Sequence, residues 1–282
     1  MLTTMLPLVV TLLGAVQATT DTTFAVRADA RLELRDVTGS VRVEAWDEAR
    51  VRLRADHGSR DRVRVDDRGG VVSLSVVRDR GRPVTVHYRL TVPRGMALTL
   101  AGGEVYLEVI GVRGALALES IEGDLVVRDV GAAVLATVDG DVTVLGAAGD
   151  VRVATTDGDL RLSGVRGSLV ATTLDGDVLM DGMDARSLDV STVDGEIRYE
   201  GAIHDGGRYR LTTHDGDVTL VVPSAINATV SVATYDGDFS STFPVRLRPQ
   251  HRHGHRFTFT LGNGSAQIEL ESFDGAIRLR SR

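Results

Sequence analysis

Carboxylates dominate the residues of this chain that could do chemistry, and their spacing is regular. Acids flank a glycine at Glu122-Gly-Asp124, Asp139-Gly-Asp141, Asp157-Gly-Asp159, Asp175-Gly-Asp177, Asp194-Gly-Glu196, Asp215-Gly-Asp217 and Asp236-Gly-Asp238, and Asp274 precedes Gly275. The turns hold 15 of the 39 acidic residues. Calcium takes about six to eight oxygens at roughly 2.3–2.6 Å, and adjacent copies of such a turn could offer four carboxylates. Asp139, Asp141, Asp157, Asp159, Asp175, Asp177, Asp215, Asp217, Asp236 and Asp238 are therefore the candidate ligands of a Ca2+ ladder. The competing reading is turn chemistry, in which Asp bonds its own backbone two residues on and Gly supplies a positive φ. The glycine-rich nonapeptide of calcium β-rolls is absent.

Paired acids also cleave polysaccharides, but a catalytic pair is distinctive, whereas these acids recur at every turn. Trp46 is the one tryptophan, and there is no nucleophile elbow, phosphate loop or H-E-x-x-H helix. No catalytic residue is nominated, and no cofactor is required. His251, His253 and His255 alternate in PQHRHGHRF. On an extended strand they would point one way and suit zinc, copper or nickel. The neighbouring Pro249, Gly254 and arginines favour a solvated loop instead.

The residues around the acidic glycines say which elements hold them. Three places before the glycine stands Ser or Thr: Ser120, Thr137, Thr155, Thr173, Thr192, Thr213, Thr234 and Ser272. An aliphatic residue lies five places before it, and an apolar residue two places after it. This is period-two alternation on both sides of a turn, the mark of strands with one buried face. Successive acidic glycines are 17, 18, 18, 19, 21, 21 and 38 residues apart, so the last gap reads as two periods with a degenerate repeat near Pro249. Gly-x-x-Gly turns at Gly111, Gly146 and Gly164 fall between acidic turns. Two architectures fit locally: hairpins closed by Asp-Gly, or a solenoid in which each repeat is one coil. Eight hairpins would need at least sixteen antiparallel strands, beyond the roughly ten an open sheet sustains. With no helical periodicity to cover such a sheet, a parallel β-solenoid with coils of about 17–21 residues is expected.

The 282 residues are 43% apolar and only 4% aromatic, so the core is aliphatic. There is no cysteine, and the net charge is −7 with arginines dispersed among acids. Nucleic acid is therefore not an expected partner. Residues 1–18 carry no charge, hold a short apolar run and end in Val16-Gln17-Ala18, as in a secretory leader cut after Ala18. A positively charged start is missing from it. The expected organisation is a leader over 1–18 and one solenoid over 19–282. Within the solenoid, 24–100 is a diverged N-terminal capping part and 101–282 holds the regular repeats. No later segment is long and apolar enough to anchor the mature chain.

Three further stretches carry a resemblance: GSVRVEAWDEARVRLRA, YRLTVPRG and GNGSAQIELESFDGAIRLRS. With the [ST]-x-D-G-D-[VIL] repeats, the chain resembles the bacterial "putative adhesin" family of β-strand-repeat proteins over about residues 24–282. It is also similar to the head-domain family of auto-transporter-like adhesins. The resemblance implies a right-handed parallel β-helix exported to the cell envelope, in the periplasm, at the surface or secreted. Many members have Ser or Asn where this chain has the first Asp of D-G-D. The function expected is a non-enzymatic, adhesin-like scaffold for an envelope protein or polysaccharide. A calcium-binding solenoid and a polysaccharide-active β-helix enzyme are the alternatives.

Overall fold

Alternating aliphatic residues, interrupted by glycine every eight to ten positions or so, make short strands that turn before they can lengthen. The computed structural model describes residues 17–77, 84–245 and 255–282, and all its regular elements there are strands. The N-terminal part holds β1 (Gln17–Ala25), β2 (Arg31–Trp46), β3 (Arg50–Gly58), β4 (Arg62–Arg68), β5 (Val71–Val77), β6 (Val86–Pro93) and β7 (Ala97–Ile110). The regular coils follow: β8 (Leu116–Glu122) with β9 (Leu125–Val130), β10 (Ala133–Ala136) with β11 (Val142–Ala147), β12 (Val151–Ala154) with β13 (Leu160–Val165), β14 (Leu169–Thr172) with β15 (Val178–Met183), and β16 (Ser187–Ser191) with β17 (Ile197–Gly201). The C-terminal part holds β18 (Arg208–Asp215), β19 (Val218–Val222), β20 (Ala228–Asp236), β21 (Phe239–Ser241), β22 (His255–Leu261), β23 (Ala266–Asp274) and β24 (Ile277–Ser281).

The two strands of a coil do not pair with each other. β12 pairs in parallel with β10 and β14, and β13 with β11 and β15. Val142 therefore stands over Leu160 and Leu160 over Val178, in register from coil to coil. The acidic turn is thus a corner between two parallel ladders, and the hairpin alternative is excluded. Inside one coil Val151, Val153, Leu160, Leu162 and Val165 are buried, each contributing about 1.5–3 kcal/mol.

Both ends depart from sequential stacking. The C-terminal coil inserts between earlier ones: β23 lies between β18 and β20, and β24 between β19 and β21. The long gap after Gly237 is therefore not two successive coils. After β21 the chain returns as β22, antiparallel to β20, and Phe239 packs against Phe257 and Phe259 at centroid distances of 4.9 and 5.9 Å. At the other end β2 lies in parallel between β7 and the strands β5 and β6, while β4 pairs antiparallel with β5 and β3 with both β6 and β1. Antiparallel closure replaces the next parallel coil and limits edge-to-edge growth. Of the expected leader, only Gln17 and Ala18 lie within the described residues, at the start of β1. His251 and His253 lie outside them, and His255 is described only as backbone at the start of β22.

Candidate functional site: the acidic corner

Each corner residue has a distinct task, set by whether alternation points it in or out. The Ser/Thr points in: Thr155 is buried, and its hydroxyl donates to the carbonyls of Asp157 in its own coil (3.3 Å) and Gly140 in the coil before (3.4 Å). Thr137, Thr173, Thr192 and Thr213 repeat both bonds. These hydroxyls form a ladder between coils. Thr234 departs from it: its Oγ1 is buried with no hydrogen-bond partner among the described residues.

The glycine is required by close stacking. Gly158 has φ +146°, and a Cβ there would lie 2.2 Å from the Gly140 carbonyl oxygen. The same stacking continues through Gly176, Gly195 and Gly216, then to Gly275 and only afterwards to Gly237.

The second acid is structural. The Asp141 carboxylate accepts the backbone N–H of Asp159 at 2.9 Å, and that of Asp159 accepts the N–H of Asp177 at 3.0 Å. Asp124, Asp177 and Asp217 accept from Asp141, Glu196 and Ala276 in the same way. Arg161 bridges neighbouring coils, reaching Asp141 at 2.9 Å and Asp159 at 2.8 Å, and Arg278 pairs with Asp217. Like charges about one strand apart repel by roughly 1 kcal/mol even in water. These N–H groups and guanidiniums offset that repulsion. Burial pushes the Asp217 carboxyl up, but its bonds from Arg278 and the Ala276 N–H outweigh this and hold it below the usual carboxylate range. Asp238 is exposed on the last coil, separated from Asp217 by Ala276 of the inserted coil.

The first acid is different. Glu122, Asp139, Asp157, Asp175, Asp194 and Asp215 bridge successively in parallel, and Asp274 and Asp236 extend the column. All are exposed. No ion pair or side-chain hydrogen bond among the described residues engages their carboxylates. Of the ten nominated ligands, the structure lines up Asp139, Asp157, Asp175, Asp215 and Asp236 in this outer column and Asp141, Asp159, Asp177, Asp217 and Asp238 in the inner one. Among the described residues, no three His or acidic groups are grouped to hold a metal ion.

Sequence reasoning passed over the residue between Ser/Thr and the first acid. Alternation points it outward, yet it is mostly apolar: Ile121, Val138, Leu174, Val193, Phe273 and Tyr235 are 47–59% exposed. Thr156 and His214 fill the remaining rungs. The rings of His214 and Phe273, and of Phe273 and Tyr235, stack at 4.8 Å. An apolar ridge therefore runs beside the acidic column along the repeat stack. The signal was available in the sequence, since an apolar residue on the solvent side of an Asp-Gly turn has no folding role.

Stacked parallel coils of two short strands, with a repeated polar corner, define a β-solenoid of the toast-rack kind. The chain belongs to the Toastrack DUF4097 family, whose model matches residues 30–280. No curated protein matches it. Among solved structures it is similar to a "putative lipid binding protein" of Parabacteroides distasonis, with 10% identity, a TM-score of 0.51, and coverage of 93% of this chain and 96% of that one. A "putative adhesin" of Bacteroides fragilis has 11% identity, a TM-score of 0.47, and coverage of 93% and 97%. Among the described residues no helix is long and apolar enough to cross a membrane.

Proposed function

We propose that this chain is a non-enzymatic binding scaffold of the cell envelope, exported on residues 1–18, which meets an envelope protein or polysaccharide along its acidic corner. One observation carries this reading: the exposed apolar ridge beside the acidic column recurs on coil after coil, where folding needs neither. Large exposed apolar patches mark contact sites, and this ridge is apolar at six of its eight rungs, Thr156 and His214 being the exceptions. The near-equivalence of the corners speaks against catalysis, because no one coil gathers acids in an environment unlike the rest. The test compares the wild-type chain with Val138→Ser/Leu174→Ser/Val193→Ser, both immobilised and exposed to envelope proteins and cell-wall polysaccharide. Retention of a component by the wild type, lost in a variant of unchanged melting temperature, supports the reading. Equal retention refutes it.

A second reading is a cation-binding corner. It is favoured by the unpartnered outer carboxylates, Asp139 to Asp236, held one strand apart. Thermal melting with and without millimolar calcium decides it: a clear rise supports ligation, and an unchanged midpoint rejects it.

A further inference from the structure

We infer that the corner ridge accepts a cationic amphipathic helical segment of a partner polypeptide, an inference that rests on the ridge being the contact surface. The ridge is one side chain wide. Its eight rungs, apolar except at Thr156 and His214, repeat at the spacing of about 4.8 Å between paired strands. Eight rungs span roughly 34 Å, the length of a helix of about 22 residues. A helix returns an apolar side chain to one face every ~5.4 Å, about 0.6 Å longer than that step, so it keeps pace with three or four rungs before drifting out of step. An extended strand does so only every ~6.8 Å.

Charge then selects among helices. One flank of the ridge is the outer carboxylate column, exposed and free of ion pairs among the described residues. Asp124, Asp141, Asp159, Asp177 and Asp217 of the inner column are already engaged by N–H groups of the next coil, three of them also by Arg161 or Arg278. The other flank carries mostly small side chains, among them Ala136, Ala154, Thr172 and Ser191, with Glu119 and Glu271 at two rungs, and so leaves room for a bulky partner. A helix with an apolar stripe edged by Lys or Arg meets both features. A second copy of this chain would set one acidic column against another, and an anionic lipid surface meets the same repulsion. Sugars bind aromatic faces, but Phe273 has both faces covered by His214 and Tyr235, and each of those has one face covered by Phe273.

The experiment titrates labelled peptides of about 22 residues by fluorescence anisotropy. One has leucine and lysine in a helical amphipathic pattern, one has the same pattern in leucine and glutamate, and one is oligolysine. The proteins are the wild type, Leu174→Ser/Val193→Ser, and Asp157→Asn/Asp175→Asn/Asp194→Asn. The leucine–lysine peptide is expected to bind the wild type, and to bind either variant roughly tenfold more weakly. Salt at about 0.5 M should also weaken it. Equal binding of the leucine–glutamate peptide, equal binding of oligolysine, or unchanged binding to both variants overturns the inference. So does co-sedimentation of the wild type with phosphatidylglycerol vesicles in the absence of peptide binding. If no peptide binds but the wild type still retains an envelope component that the ridge variant loses, only this inference falls. If that retention is absent too, the ridge reading falls with it.

Discussion

Replacing Gly158 by alanine tests whether the coils stack as tightly as the corner geometry requires. At Gly158 the added Cβ would sit 2.2 Å from the Gly140 oxygen and 2.7 Å from its carbonyl carbon, where real contacts stay beyond 3.0 Å. Both atoms are backbone, so relief means moving one coil against the next. The φ of +146° adds a conformation that costs a side chain about 1–3 kcal/mol. Gly182 is the control: its φ is also positive, at +58°, but nothing lies within 4 Å of its Cβ position. Gly182→Ala should cost about 1 kcal/mol, a left-handed penalty of roughly 1–2 kcal/mol reduced by the lost freedom of the unfolded chain. Gly158→Ala carries the clash as well and should cost at least about 3 kcal/mol, lowering the melting temperature by about 6 °C or more. Urea unfolding and thermal melting of the two variants, read together, give the comparison. A Gly158→Ala cost no larger than that of Gly182→Ala would refute close carbonyl stacking at the corner.

Other perturbations follow from the same geometry. Leu160 is fully buried, so Leu160→Ala should lose about 2–5 kcal/mol in urea unfolding. Thr155→Val should change stability by less than about 1 kcal/mol, because its two hydrogen bonds are long and the Asp157 carbonyl still accepts the Gly140 N–H at 3.0 Å. A folded pKa below the unfolded one means Asp217 stabilises fully above the unfolded value of about 3.9 and loses that contribution as pH falls through the lower folded value. Melting of Asp217→Asn between neutral and acid pH should therefore fall less steeply than that of the wild type. Deleting residues 266–282 removes a coil from inside the stack, leaving β18 and β20 without the strand between them. Hydrogen exchange should show protection lost over β18 to β21, and retained protection there would contradict the insertion.

Much of the solenoid was legible in the sequence because one rule governs each corner. Thr155 and Leu160 point inward as alternation requires, and parallel pairing follows once hairpins are ruled out by strand number. The inserted C-terminal coil was not legible. The 38 residues from Gly237 to Gly275 read as two successive periods, and nothing local records that Gly275 stacks on Gly216. Insertion depends on which coil edge is free when the chain returns, a long-range outcome with no local signature. The two acids of D-G-D looked alike in sequence, yet Asp159 caps a backbone N–H of the next coil while Asp157 faces solvent. That division depends on the next coil's backbone N–H lying over the second acid, a contact between coils that composition does not carry. The ridge is visible in the sequence at Val138, Leu174 and Val193, but Thr156 and His214 break its apolar pattern.

The most direct measurement immobilises the wild-type chain and the Val138→Ser/Leu174→Ser/Val193→Ser variant side by side and compares what each retains from the cell envelope. A partner held by the wild type and released by an equally stable variant is the predicted result. The same partner held equally by both would contradict the assignment of the ridge as the contact surface.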